Sequence, residues 1–170
     1  MKKVNKKGVD ILDLDVKKLI DMLNAALAEE WLAYYQYWIG AQLVEGPMRS
    51  DVEGELLEHA AEELEHADKV AKRIIELNGT PILNPVEWAK LARCKYEEPA
   101  DPYVETILAQ NIRGERCAIQ RYQEIADFTH GKDYVTHTLA IEILAEEVEH
   151  ENDLDAFVGD INAMKEAFRK

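Results

Sequence analysis

Residues 62–68 read EELEHAD and residues 146–152 read EEVEHEN. Each holds Glu-x-x-His, as Glu63…His66 and as Glu147…His150, and the second copy follows the first by 84 positions. Three residues apart on a helix is one turn on the same face, so each pair can present one oxygen and one nitrogen to a shared point. Whether that point matters depends on which way the two helices turn these faces, and the surrounding periodicity answers that.

Four stretches carry apolar residues at helical spacing. Leu19, Leu23, Ala26, Leu27, Tyr34, Tyr37, Trp38 and Ala41 form the first stripe. Leu56, Ala60, Ala67, Val70, Ile74 and Leu77 form the second. Val104, Leu108, Ala118, Ile119, Tyr122, Ile125 and Ala126 make the third, and Ala140, Ile143, Leu144, Leu154, Phe157, Val158 and Ile161 the fourth. Breaks rich in Gly, Pro and Asp separate them at 46–51, 78–85, 97–102 and 130–133. The expected fold is therefore all-α: one domain over 1–170, built as an antiparallel four-helix bundle. A short extra helix is expected at 85–94, with Pro85 at its start, between the second and third long helices.

Each stripe is interrupted by one glutamate: Glu30, Glu63, Glu115 and Glu147. A carboxylate turned into an apolar core costs several kcal/mol or more unless a cation meets it. With His66 and His150, the set has four carboxylates and two imidazoles, whose negative charge two divalent cations neutralise. Oxygen and imidazole donors without thiolate suit iron or manganese better than a closed zinc site. One Glu-x-x-His in a Glu-rich helix is usually a surface pair. Two copies on core stripes, each preceded by a helix with its own core glutamate, point to a dinuclear metal centre. The neighbouring Glu29, Glu62, Glu65, Glu146 and Glu149 read as a solvated face, with Glu62 and Glu146 as candidate partners behind the ligands. His59, His130 and His137 lack the motif spacing.

Composition narrows the function. The formal net charge of −14 argues against a nucleic-acid-binding surface and suits a protein that attracts cations. The start, MKKVNKKG, is basic, but charged residues follow it in place of an apolar segment, so neither a signal peptide nor a membrane span is expected. Residues 1–10 are expected to be a flexible basic tail, and the protein to be cytoplasmic. Cys94 and Cys117 are too few for a disulfide scaffold.

LNAALAEEWLAYYQY (23–37), ELEHADKVAKRII (63–75), RGERCAIQRY (113–122) and IEILAEEVEH (141–150) together resemble bacterioferritin over most of the chain. The resemblance implies that Glu30, Glu63, His66, Glu115, Glu147 and His150 are the ligands of a ferroxidase centre holding two iron ions, with manganese the other option. It also places Tyr37 beside the iron, where it either supplies an electron or is a buried core tyrosine. Leu64 stands where bacterioferritin has a haem-binding methionine, so haem is not expected. Only 20 residues follow His150, too few to extend the last helix and also fold a separate fifth one, so a fifth helix is not expected. A short helix between the second and third long helices is similar to Dps, the dodecameric mini-ferritin. With the cysteine pair, the chain resembles the Dps-like thioferritins.

The expected function is then oxidation of Fe(II) by H2O2 or O2 and storage of ferric iron in a homo-oligomeric cage, expected to be a dodecamer, as protection against oxidative stress. Glu58 and Glu62, one turn apart, are candidate nucleation ligands or a solvated face. The alternatives are a manganese catalase and a rubrerythrin-like peroxidase, although the paired Cys-x-x-Cys motifs of the latter are missing. A metal-free bundle that compacts DNA through its basic start is weakly supported, and DNA binding is not expected. Cys117 lies two positions after Glu115, a rotation of about 200° on a helix, so it points away from the metals. The thioferritin resemblance implies that it pairs with Cys94 as a redox couple; two separate buried thiols are the alternative.

Overall fold

The computed structural model describes residues 6–169. One helical turn, α1 (Lys7–Asp10), leads into α2 (Val16–Leu43) and α3 (Arg49–Glu76). After the short α4 (Trp88–Leu91) come α5 (Val104–Thr129) and α6 (Tyr134–Phe168). The four long helices carry the four apolar stripes. Asp15 and Asp133 start α2 and α6 by accepting the backbone N–H of Lys18 at 3.0 Å and of Thr136 at 3.1 Å. Each thereby satisfies a donor that has no carbonyl partner in the first turn.

α2 and α3 form one hairpin and α5 and α6 the other. Tyr37 meets Glu115 while Glu30 meets Tyr122, so α2 and α5 run antiparallel. His66 meets Glu146 while Glu62 meets His150, so α3 and α6 do too. The result is the ferritin-like four-helix bundle.

Its hairpins are joined by a crossover that follows α2 from end to end. Gly79 begins it, pressed so close that a Cβ there would stand 2.8 Å from Ile74 Cγ2 and 3.0 Å from Ile20 Cγ2. Further on, Trp88 stacks on Trp31 with ring centroids 5.3 Å apart, and the backbone N–H of Glu97 donates to Gln36 at 2.8 Å. The crossover closes where Glu45 N donates to the Pro102 carbonyl and Val104 N to the Glu45 carbonyl, both at 2.8 Å.

The expected helix over 85–94 is shorter than its sequence suggests. Pro85–Glu87 is a 3-10 turn, α4 ends at Leu91, and Ala92 is extended. The Glu29 carboxylate is the physical reason: it accepts the backbone N–H of Arg93 at 2.6 Å and of Cys94 at 3.2 Å. Those donors turn toward α2 and do not continue the helical ladder. Of the expected flexible tail, residues 1–5 lie outside the described residues. Residues 7–10 form α1, and the Lys6 ammonium donates to the carbonyls of Ile75 and Glu76 at 2.9 and 3.3 Å. These lie at the C-terminal end of α3, where the helix dipole favours a cation. No helix among the described residues is long and apolar enough to cross a membrane.

The core falls into two apolar blocks. Leu19, Leu23, Val70, Ile74, Ile125 and Ile143 anchor one, and Val52, Leu56, Ile107, Leu108, Leu154 and Ile161 the other. Each fully buried aliphatic side chain contributes roughly 1.5–3 kcal/mol through the water it leaves. Between the blocks lies a polar layer.

Candidate metal centre

The polar layer contains all six residues singled out by the sequence. Glu30 comes from α2, Glu63 and His66 from α3, Glu115 from α5, and Glu147 and His150 from α6. None is more than 2% exposed. Their donor atoms form two sets, Glu30–Glu63–His66–Glu147 and Glu63–Glu115–Glu147–His150, each with its atoms within 4.8 Å of one another. Glu63 and Glu147 belong to both. The two Glu-x-x-His motifs therefore face each other across the bundle axis, and their glutamates lie between two potential ion positions.

The separations suit a metal better than a proton network. His66 Nδ1 lies 3.6 Å from Glu30 and Glu63 and 3.3 Å from Glu147. His150 Nδ1 lies 3.5–3.7 Å from Glu147, Glu63 and Glu115. Neither nitrogen makes a hydrogen bond, and both Glu147 oxygens and Glu115 Oε2 are also buried without a partner. Five orphaned atoms around one point would each cost about 1–3 kcal/mol, more where charged. Donors held about 2.1 Å from a common ion stand roughly 3–3.5 Å apart, close to the spacing found. The donor set fits a pair of oxygen- and imidazole-loving cations.

The electrostatics tell the same story. Burial, followed by the charges of neighbouring glutamates, pushes Glu30 and Glu115 well above the usual carboxylate range. Burial would also raise Glu63, but the imidazoles of His150 and His66 beside it outweigh this and hold the carboxyl low. Burial disfavours the charged imidazoles, yet the surrounding carboxylates raise both His66 and His150 strongly. Without cations, the layer retains protons to limit its own repulsion.

Each histidine is oriented by the opposite motif. His66 Nε2 donates to Glu146 at 2.6 Å, and His150 Nε2 donates to Glu62 at 2.7 Å. With a hydrogen kept on Nε2, Nδ1 is the nitrogen that faces the centre, and it offers its lone pair once its own proton has left. The glutamates from α2 and α5 are secured just as symmetrically: the Tyr37 hydroxyl donates to Glu115 and the Tyr122 hydroxyl to Glu30. An approximate two-fold relation thus exchanges α2 with α5 and α3 with α6.

Sequence reasoning missed three features of this layer. Tyr122 read as a core tyrosine, yet it is the counterpart of Tyr37, and its position seven residues after Glu115 matches that of Tyr37 after Glu30. Glu29 read as part of a solvated face but is buried, its carboxylate receiving two Arg121 hydrogen bonds of 2.7 Å. An arginine 92 residues away satisfies it, which helical spacing does not reveal. His59 lacks the motif spacing, yet it is 2% exposed and stacks on His150 with ring centroids 4.1 Å apart. Burial, with His150 beside it, pushes His59 down to about 3.

The centre opens in two directions. Toward α2 and α5 lies a mostly apolar cavity of about 30 Å³, room for a water-sized molecule, lined by Glu30, Glu63, Glu115, Tyr37, Tyr96 and Cys94. Cys94 and Cys117 are joined there as a disulfide, with Cα atoms 5.6 Å apart. Toward α3 and α6 lies an acidic cavity of about 100 Å³, whose walls include Glu55, Glu58, Glu62, Glu146, His59 and His150. The centre is thus flanked by a mostly apolar cavity and by an acidic one.

Known proteins share this arrangement of helices. The Ferritin-like domain family matches residues 20–164. A DNA protection during starvation protein of Pyrococcus furiosus is 38% identical over 149 residues, covering 86% of this chain and 80% of that protein. A bacterioferritin of Rhodobacter capsulatus is 30% identical over 139 residues, covering 81% of each. The chain also superposes on the dodecameric thioferritin, a bacterioferritin-related protein, of Bacteroides fragilis with a TM-score of 0.96. That pair is 60% identical, and the match covers 98% of this chain and all of the other.

Proposed function

The chain belongs to the ferritin-like family, and from that premise we propose that it is a ferroxidase that oxidises Fe(II) at the paired centre and stores the ferric product. One observation carries the reading: two donor sets share Glu63 and Glu147, and each ends in a histidine whose inward nitrogen has no partner. Glu30 and His66 would hold one ferrous substrate ion and Glu115 and His150 the other, with Glu63 and Glu147 within reach of both. Two ferrous ions give one electron each to H2O2, which takes up two protons and leaves as two waters. The six side chains hold the ions close enough for one oxidant to draw from both. Haem has no part in this reading.

The disulfide extends it. In the dithiol state, Cys94 and Cys117 supply two electrons and two protons to H2O2, giving two waters and the disulfide. Cys94 lines the apolar cavity beside the centre, outside the donor sets, and its bond to Cys117 supports this. Assembly as a dodecameric cage in the cytoplasm completes the proposal and rests on the likeness to the thioferritin. Its purpose would be removal of peroxide and ferrous iron together.

The deciding experiment loads the metal-free protein with Fe(II) under anaerobic conditions, adds H2O2 and follows ferric absorbance. Rapid oxidation in the wild type, lost in Glu63→Ala, supports the ferroxidase. Equal rates in both proteins would overturn it. Metal analysis of the purified protein separates iron from manganese, and oxygen evolution from peroxide would mark a manganese catalase instead.

A further inference from the structure

The approximate symmetry of the centre fails on one side, and there the structure assigns a separate binding site for a single divalent first-row cation, formed by Glu55, His59 and Asp153. The donor atoms of the three lie within 4.8 Å of one another. His59 Nε2 stands 3.3 Å from a Glu55 oxygen and 3.9 Å from an Asp153 oxygen. Its side chain is 97% buried, and its other nitrogen, Nδ1, has no hydrogen-bond partner. A buried imidazole without a hydrogen-bonding network is expensive, and here it forms the floor of the acidic cavity.

The offset of 84 residues that relates the two motifs shows what is special about this half. It maps Glu55 onto Leu139, His59 onto Ile143 and Asp153 onto Lys69. At the matching positions the other half has two aliphatic side chains and a lysine, whose ammonium lies 3.2 Å from Glu146. One half is thus closed by apolar groups and a positive charge, whereas the other carries two carboxylates and an imidazole. A pattern of random surface acidity would not place its one buried histidine at the point where the aliphatic counterpart is replaced.

The chemistry of the set defines its ligand. Two carboxylates and one neutral imidazole balance the charge of a divalent ion, and the mix of oxygen and nitrogen suits Fe(II), Mn(II), Co(II) or Zn(II). Glu55 and Asp153 are partly exposed to the cavity, so water completes the coordination and exchange stays open. Because His59 stacks directly on His150, a cation there stands beside one ion position of the paired centre. The site does not depend on which oxidant the paired centre uses.

Equilibrium dialysis of the whole assembled protein against Co(II) chloride tests this by counting cobalt per chain. His59→Leu and Asp153→Asn are each expected to bind one Co(II) fewer than the wild type. Asp153→Asn keeps its shape at a partly exposed position, so it remains informative if His59→Leu does not fold. Glu147→Gln is expected to lose cobalt from the paired centre while retaining the ion that depends on His59. Crystals soaked in Co(II) should give an anomalous peak beside His59 Nε2. Equal cobalt counts in wild type and both cavity variants, or no such peak, would overturn the site. If Glu147→Gln alone binds like the wild type, the paired centre fails and the His59 site stands.

Discussion

His66 on α3 donates a hydrogen bond of 2.6 Å to Glu146 on α6, and Glu146 directly precedes the glutamate of the other Glu-x-x-His motif. With the reciprocal bond from His150 to Glu62, each motif orients the histidine of its partner. Neither half of the centre is complete without the other, although they lie on helices from different hairpins.

Glu146→Gln is therefore expected to weaken metal binding without removing a ligand. An amide can no longer hold the imidazole tautomer as firmly, and losses at such positions are typically 10–100-fold in affinity. Glu62→Gln should act in the same direction, because His150 donates to Glu62 as His66 donates to Glu146. Anaerobic Fe(II) titration checks this; wild-type affinity in both variants would rule out the orienting role.

Glu147→Ala is expected to abolish rapid ferrous oxidation while the bundle still folds. Both Glu147 oxygens are buried and without partners, so deleting them relieves repulsion in the metal-free state. Urea unfolding of the metal-free variant should give a midpoint no lower than that of the wild type. A large drop would mean that the carboxylate stabilises the fold in its own right.

Tyr37→Phe and Tyr122→Phe each strip a hydrogen bond from a buried glutamate, costing about 1–3 kcal/mol in the metal-free protein. Oxidation rates discriminate between two roles. Equal slowing in both variants assigns the hydroxyls to carboxylate positioning. Slowing in Tyr37→Phe alone assigns Tyr37 the supply of an electron.

The disulfide spans 23 positions, and closing a loop of that size limits the unfolded chain by roughly 3 kcal/mol in the entropic account. Cys117→Ser should lower unfolding stability by up to about that amount under oxidising conditions and by much less with a reductant present. Thiol counting before and after H2O2 tests the redox role. Thiols that stay free, with unchanged oxidation in Cys94→Ser, would remove it.

Acid should loosen the contact between the hairpins through Asp133. Burial works against its charge, but hydrogen bonds from Thr136 and Arg73 prevail and hold the carboxyl below its usual range. A depressed folded value means the stabilisation is fully present above the unfolded value of about 3.9 and is lost as pH falls through the folded one. Unfolding measured between pH 7 and pH 2 should show this loss, and Asp133→Asn should flatten that part of the curve. An unchanged curve would reject the assignment.

The amino-acid sequence by itself determined the four long helices, because apolar periodicity and Gly/Pro breaks are local signals. It also picked out Glu30, Glu63, His66, Glu115, Glu147 and His150, since a charged residue on an apolar stripe is visible wherever the stripe is. Tertiary structure alone decided that Glu63 and Glu147 are the two carboxylates common to both donor sets, that Tyr122 holds Glu30, and that Glu29 is neutralised by Arg121. It also joined Cys94 to Cys117, which the thioferritin resemblance had implied and spacing had left open. The physical reason is one of range. Spacing along a helix sets which residues share a face, but the stagger and rotation of packed helices set which faces meet. His59 marks that boundary: Glu55 one turn before it does not by itself announce a role, and the approach of Asp153 and His150 from α6 gives it one.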